Sequence, residues 1–100
     1  MSKSVWRPGT VLYPVPAVMV SCGTIEKPNI ITVAWCGTLC TSPAMTYVSI
    51  RPERFSYKII EESKEFVINL TTEALAHSVD YCGVKSGKDV DKFKECSLTA

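Results

Sequence analysis

Three polar side chains crowd one short stretch of this 100-residue chain: Arg51, Arg54 and Ser56, where an apolar run gives way to a helical pattern. Two guanidinium forks, a hydroxyl and the free N–H groups of a helix start all donate hydrogen bonds to oxyanions, so the junction suits a phosphate monoester. Solvated surface arginines are the plainer alternative, and the junction alone does not decide between them. Upstream, Trp35 is followed by Cys36, Gly37, Thr38, Leu39, Cys40, Thr41, Ser42 and Pro43. An indole beside small residues and accessible backbone donors can hold a flat, hydrogen-bonding ring. Phosphate at one end and a planar ring at the other describe a mononucleotide.

Other reactive residues carry weaker patterns. Cys36, Cys40, Cys82 and His77 make four possible zinc ligands, but the paired C-x-x-C knuckles of structural zinc sites are missing, and buried, inert thiols are the preferred reading. No metal is expected. His77 is the single histidine and sits on a helical pattern without a second base, which makes it a poor catalyst. Gly83, Ser86, Gly87 and Lys88 imitate a phosphate loop only superficially, since the glycines are too close and Asp89 stands where Ser or Thr is needed. Asn69-Leu70-Thr71 spells a glycosylation sequon, but on a stretch expected to be a buried strand.

Composition bounds the partners. The net charge of +1 gives no field to gather nucleic acid or an anionic membrane, so any anion site must be local. An apolar fraction of 46% with 21% charged residues excludes a disordered polyelectrolyte. Five cysteines without regular dense spacing read as reduced thiols of a cytoplasmic protein. Lys3, Arg7 and the run Val11 to Val20 before Cys22 loosely imitate an export signal, but Pro14 and Pro16 break that run. No apolar stretch reaches the roughly 18 residues of a membrane span.

One small domain is therefore expected over residues 1–100, mainly β with helices. Val15 to Cys22 and Ile30 to Trp35 are β-branched or valine-rich and predict two strands joined by a polar turn from Gly23. Cys36 to Pro43 reads as a loop of small residues, Met45 to Ile50 as a third strand, and Phe66 to Leu70 as a fourth. Ser56 is placed to cap a helix over Tyr57 to Lys64 with Ile59 and Ile60 inward. A longer helix starts at Thr71 or Thr72, carries Leu75, Val79 and Cys82 on one stripe and stops at Gly83; Asp89 to Glu95 supplies a last short one. Four strands leave a barrel incomplete, so the sequence is expected to be the N-terminal portion of a larger barrel.

The segments Pro14 to Cys22, Asn29 through Trp35 to Gly37, Ser42-Pro43, Ser49 to Ser56, Phe66 to Leu70 and Ser86 to Phe93 together resemble the flavin reductase-like family, most closely its flavoredoxin branch. The resemblance implies an FMN-binding split β-barrel that works as a homodimer. It implies that Asn29 and Trp35 lie beside the flavin ring, that the Trp35 to Leu39 backbone, Cys36 and Gly37 included, contacts the ring's polar edge, and that Arg51, Ser56 and Lys92 hold the ribityl phosphate. The implied activity is that of an oxidoreductase passing electrons from NAD(P)H to FMN, less readily FAD, and on to an acceptor, which a partner protein would supply in one version. No side chain need be catalytic, because the flavin carries the chemistry. The alternatives are a noncatalytic flavin-binding electron-transfer protein and a truncated chain that retains no flavin.

Overall fold

Strand β1, Val18–Gly23, runs up the middle of the molecule and is buried along most of its length, which its near-continuous apolar sequence permits only with both faces covered. It pairs antiparallel with β2, Pro28–Val33, on one side and with β5, Val67–Leu70, on the other, giving the order β2-β1-β5. The register sets Val20 opposite both Ile31 and Ile68. The computed structural model describes residues 1–100; residues 1–17 are exposed and carry no helix or strand. Gly23 ends β1 with φ +86°, and a Cβ there would fall 2.5 Å from the Lys27 carbonyl oxygen, so the turn into β2 needs glycine.

Side-chain alternation divides the core into two halves, one on each face of the sheet. On the first face Val18, Val20, Ile31 and Val33 pack together, with Ile60 of α1 (Phe55–Ser63), Cys36, Val48 and Ile50 against them. On the second, Met19 and Ile30 meet Cys82 of α2 (Ala76–Val84), and Leu75, Val79 and Phe93 close around them. Phe93 belongs to α3, Lys92–Glu95, which the Asp91 side chain caps by accepting from the Lys94 N–H. The layers are thus helix, sheet, helix. The stripe of Leu75, Val79 and Cys82 faces inward as its spacing predicts. No helix is long and apolar enough to cross a membrane.

Five strands form rather than four. Cys36–Thr41, expected as a loop, is β3, and it pairs antiparallel with β4, Ala44–Val48, in a separate two-stranded sheet. Small residues were no obstacle, because β4 supplies the hydrogen-bond ladder and Ser42-Pro43 the tight turn between. The first strand is shorter than expected, starting at Val18; the second is shifted two residues toward the N-terminus, Pro28–Val33 instead of Ile30 to Trp35, and β4 stops at Val48. Ser56 does not cap α1. Arg54 holds that position, without a side-chain bond, and Ser56 lies inside the helix, 1% exposed. The helix expected from Thr71 begins instead as a 3-10 turn at Glu73–Leu75 and becomes α2 only at Ala76, running through Gly83 to Val84; the last short helix starts at Lys92, not Asp89. The strands form two antiparallel sheets and no closed barrel.

Candidate functional site

Strand β2 is an edge strand, and at its start the two faces of the molecule meet around one small polar pocket. Asn29 points to the α1 side, where its amide Nδ2 donates to Ser56 Oγ at 2.7 Å. From the α3 side Lys92 reaches across, its Nζ donating to the Ile30 carbonyl at 2.8 Å and to the Cys82 carbonyl at 3.0 Å. All three side chains are buried, at 5%, 1% and 3% exposure, which places fixed donors and acceptors where water has little access. Arg54 lies beside them and donates from Nη2 to the Gly83 carbonyl at 3.2 Å, tying the start of α1 to the end of α2.

The pocket encloses about 190 Å³, and besides Asn29, Ser56, Arg54 and Lys92 its wall includes Lys85, Ser86 and Gly87, with Glu53 as its one acid. Gly87 is required there: a Cβ would lie 2.1 Å from Asn29 Oδ1 and 2.8 Å from a ring carbon of Phe55. The segment from Ser86 to Asp89 is not a nucleotide-binding phosphate loop, yet it bends into a turn against this same wall, the Asp89 N–H donating to the Ser86 carbonyl at 3.0 Å.

Burial is the main cause that draws the Lys92 ammonium's pKa below its usual 10.5, and the Arg54 guanidinium adds to it; the neighbouring Cys82, Cys22 and Cys96 thiols oppose both. Cys22 borders Ser56 from β1, and burial raises its thiol above 9.0 against the Ser56 hydrogen bond and the Lys92 charge. Three cations against one carboxylate, two of Lys92's three N–H bonds already placed, and backbone drawn close at Gly87 form a donor set that fits a compact dianion. A bound anion would offset both the Arg54 repulsion and part of the burial cost of Lys92. A larger groove, about 700 Å³, opens on the face covered by α2 and α3, but Glu65 is the only charged residue in its apolar wall, so it offers a phosphate nothing.

The other expected residues lie at the base of the β3–β4 hairpin. The Trp35 carbonyl accepts from the Ser49 N–H at 2.8 Å, Cys36 pairs with Val48 and Gly37 with Tyr47. Gly37 sits so close under the Tyr47 ring that a Cβ would come within 3.0 Å of it, which leaves a flat aromatic surface flanked by Trp35. Trp35 is 50% exposed. Arg51 follows on the same side but is 70% exposed, and its guanidinium pairs with Glu53 at 2.6 Å rather than entering the pocket wall. The fold therefore gathers Asn29, Ser56 and Lys92 into one pocket and sets Trp35, Cys36 and Gly37 into a second cluster, with Arg51 between them on the surface. Strand β2 runs from Asn29 toward the second cluster, and the chain bends at Trp35 into β3.

Of the junction's two arginines it is Arg54 that lines the pocket, and Lys85, Ser86 and Gly87 join it without having been singled out as flavin ligands. Arg54 had a local signal, its place in the arginine–serine junction; the Ser86 and Gly87 signal was their place in a segment that resembles the family. His77 is exposed on α2, apart from Cys36 and Cys40 on β3, and no group of three or more histidine, cysteine, aspartate or glutamate side chains is arranged to hold a metal ion. Asn69 lies in β5 and spends its amide on the Met19 carbonyl and Ser21 Oγ, at 2.9 and 3.2 Å.

Comparison with known proteins places this geometry. A family model described as the flavin reductase like domain matches residues 10–100. The structure is similar to that of flavoredoxin of Desulfovibrio vulgaris (Miyazaki F), with TM-score 0.86 and 35% identity over 99% of this chain and 54% of that one. It is similar also to an FMN-binding domain of a flavin reductases-like enzyme from Shewanella baltica, with TM-score 0.76 and 29% identity over 82% of this chain and 44% of that one. A protein of Archaeoglobus fulgidus described as uncharacterized is 35% identical over 88% of this chain and 49% of its own length. The chain spans about half the length of the relatives it matches. Its two antiparallel sheets with flanking helices are a portion of the flavin reductase-like split barrel. With a family model covering residues 10–100 and a fold shared across nearly the whole chain, this protein belongs to the flavin reductase-like domain family.

Proposed function

We propose that the chain binds FMN in preference to FAD, with the phosphate in the pocket of Asn29, Ser56 and Lys92 and the ring laid toward Trp35, Cys36 and Gly37. The observation that carries this reading is the convergence of three buried polar residues from β2, α1 and α3 on one cationic pocket, in a chain of a flavin-binding family. A bound flavin would supply the redox centre for electron transfer from NAD(P)H to an acceptor. The chain's residues position it. Lys92 and Arg54 supply fixed positive charge, Gly87 lets backbone approach the phosphate, and Arg51 closes over the rim from its exposed position. Trp35 covers one ring face and keeps water from it.

A second reading, a flavin-binding electron-transfer protein that takes no electrons from nicotinamide, is favoured by the similarity to a flavoredoxin. We assign the protein to the cytoplasm and to a homodimer in which a second copy covers the hairpin residues Leu39, Met45 and Tyr47, all exposed here. Sedimentation tests the dimer.

Titration with FMN and with riboflavin, followed by flavin fluorescence, tests the site. A gripped phosphate makes FMN bind roughly tenfold or more tighter than riboflavin, the equivalent of one charge-assisted hydrogen bond. Equal affinities would remove the phosphate role. Mixing the FMN-loaded protein with NADH or NADPH without oxygen then separates the two readings: rapid bleaching of the flavin marks the oxidoreductase, and an unchanged spectrum the carrier.

A further inference from the structure

Of the five cysteines, Cys82 and Cys96 pack against each other, with Lys92 beside them. Cys82, on α2, is fully buried in the second half of the core, and Cys96, at the end of α3, is only partly buried and packs against it. Lys92 binds the two elements together: its Nζ donates to the Cys82 carbonyl at 3.0 Å, while its own carbonyl accepts from the Cys96 N–H at 3.0 Å. All five thiols are free in this structure.

Two other arrangements are disfavoured by the fold. Cys36 and Cys40 lie on one strand four residues apart, about 13 Å in extended chain, well beyond the Cα separation of about 7 Å that a disulfide tolerates. Cys22 lies on the α1 side of the sheet, beside Ser56, with β1 between it and the α2 face.

We propose that Cys82 and Cys96 form a reversible disulfide under mild oxidation by a peroxide, making the α2–α3 junction a thiol-modification site. Partly exposed Cys96 meets the oxidant first. Its sulfur attacks one peroxide oxygen, the O–O bond breaks, and a sulfenic acid and water result. The Cys82 sulfur then attacks the Cys96 sulfur, the S–O bond breaks, and the departing hydroxide leaves as water with the Cys82 proton. Two thiols lose two electrons in all, and one hydrogen peroxide becomes two waters. The positive charge of Lys92 beside Cys82 partly offsets the burial that holds the Cys82 thiol above its ordinary 9.0. The bond would fasten α2 to α3 across the residue that lines the polar pocket, but its formation does not depend on the flavin reading.

The test is thiol counting and peptide mapping on the purified protein, treated with one equivalent of hydrogen peroxide. The monomer is isolated on a nonreducing gel, unfolded and alkylated. The titre is expected to fall from five free thiols to three. Trypsin, which cleaves after Lys64, Lys85 and Lys94, is expected to release Glu65–Lys85 joined to Glu95–Ala100, lighter than the two thiol peptides by two hydrogens. Dithiothreitol should restore all five thiols. In Cys96→Ala, the Cys82 thiol should survive the same treatment, and if that variant misfolds, the wild-type map decides alone. Five thiols remaining, a thiol loss without that linked pair, or Cys82 oxidised equally in Cys96→Ala would each overturn the proposal, whether or not FMN binds.

Discussion

The two ends of the candidate site are built by different means. At the polar end, Asn29, Ser56 and Lys92 are held by hydrogen bonds between secondary-structure elements and are almost sealed from solvent. At the aromatic end, Trp35 and Gly37 stand on a two-stranded hairpin whose apolar side chains Leu39, Met45 and Tyr47 are exposed. An isolated two-stranded sheet is marginal in water, so this hairpin gains its order from Cys36, Val48 and Ile50 packed on the first half of the core. Anchoring is thus intrinsic to the body of the fold. The aromatic surface at Trp35 and Tyr47 is open to solvent.

That contrast can be broken first at Lys92. Lys92→Met removes two charge-assisted bonds and leaves the Ile30 and Cys82 carbonyls without that donor, so the urea midpoint should fall by the equivalent of about 3 kcal/mol, with a loss of FMN affinity beside it. An unchanged midpoint would mean the polar end is not structural. Next in size is Gly87→Ala, in which the new methyl displaces Asn29 from Ser56. A cost of about 2 kcal/mol is expected, together with weaker FMN binding and little change in riboflavin binding.

A smaller effect appears in pH dependence. Burial is the principal cause that pushes the Cys82 thiol up from 9.0 to about 11, so the folded chain keeps a proton that the unfolded chain releases near 9.0. That contribution is fully present below pH 9 and drains as pH rises through about 11. Lys92, whose folded pKa is lowered, acts in the opposite sense below 10.5, because there the unfolded chain binds more protons. Thermal melts of wild type and Cys82→Ala across pH 8 to about 11 isolate the first effect: the wild type should lose stability more steeply with pH, and parallel curves would remove the assignment. Smallest in stability is Trp35→Ala, expected within about 0.5 kcal/mol because the indole is half exposed. Its signature should be a fall in affinity for FMN and riboflavin with none for inorganic phosphate, whereas Gly87→Ala weakens FMN and spares riboflavin.

Local sequence was enough for the parts whose stabilisation is local. The valine-rich run of β1, the β-branched run of β2 and the stripe of Leu75, Val79 and Cys82 announce their conformation, because side-chain branching and apolar spacing act within a few residues. The order of motifs from Pro14 to Phe93 was likewise sufficient to point to the flavin reductase-like family. Tertiary structure alone decided that Cys36–Thr41 is a strand, since its hydrogen bonds come from β4 and not from its own small residues. It alone decided that Ser56 serves Asn29 rather than a helix end, and that Arg54 faces the pocket while Arg51 pairs with Glu53 at the surface. Lys92 shows the reason most plainly. A lysine is ordinarily a surface residue, and nothing near position 92 says otherwise; its burial follows from two carbonyls, on β2 and on α2, that only the folded chain brings within reach of one ammonium group.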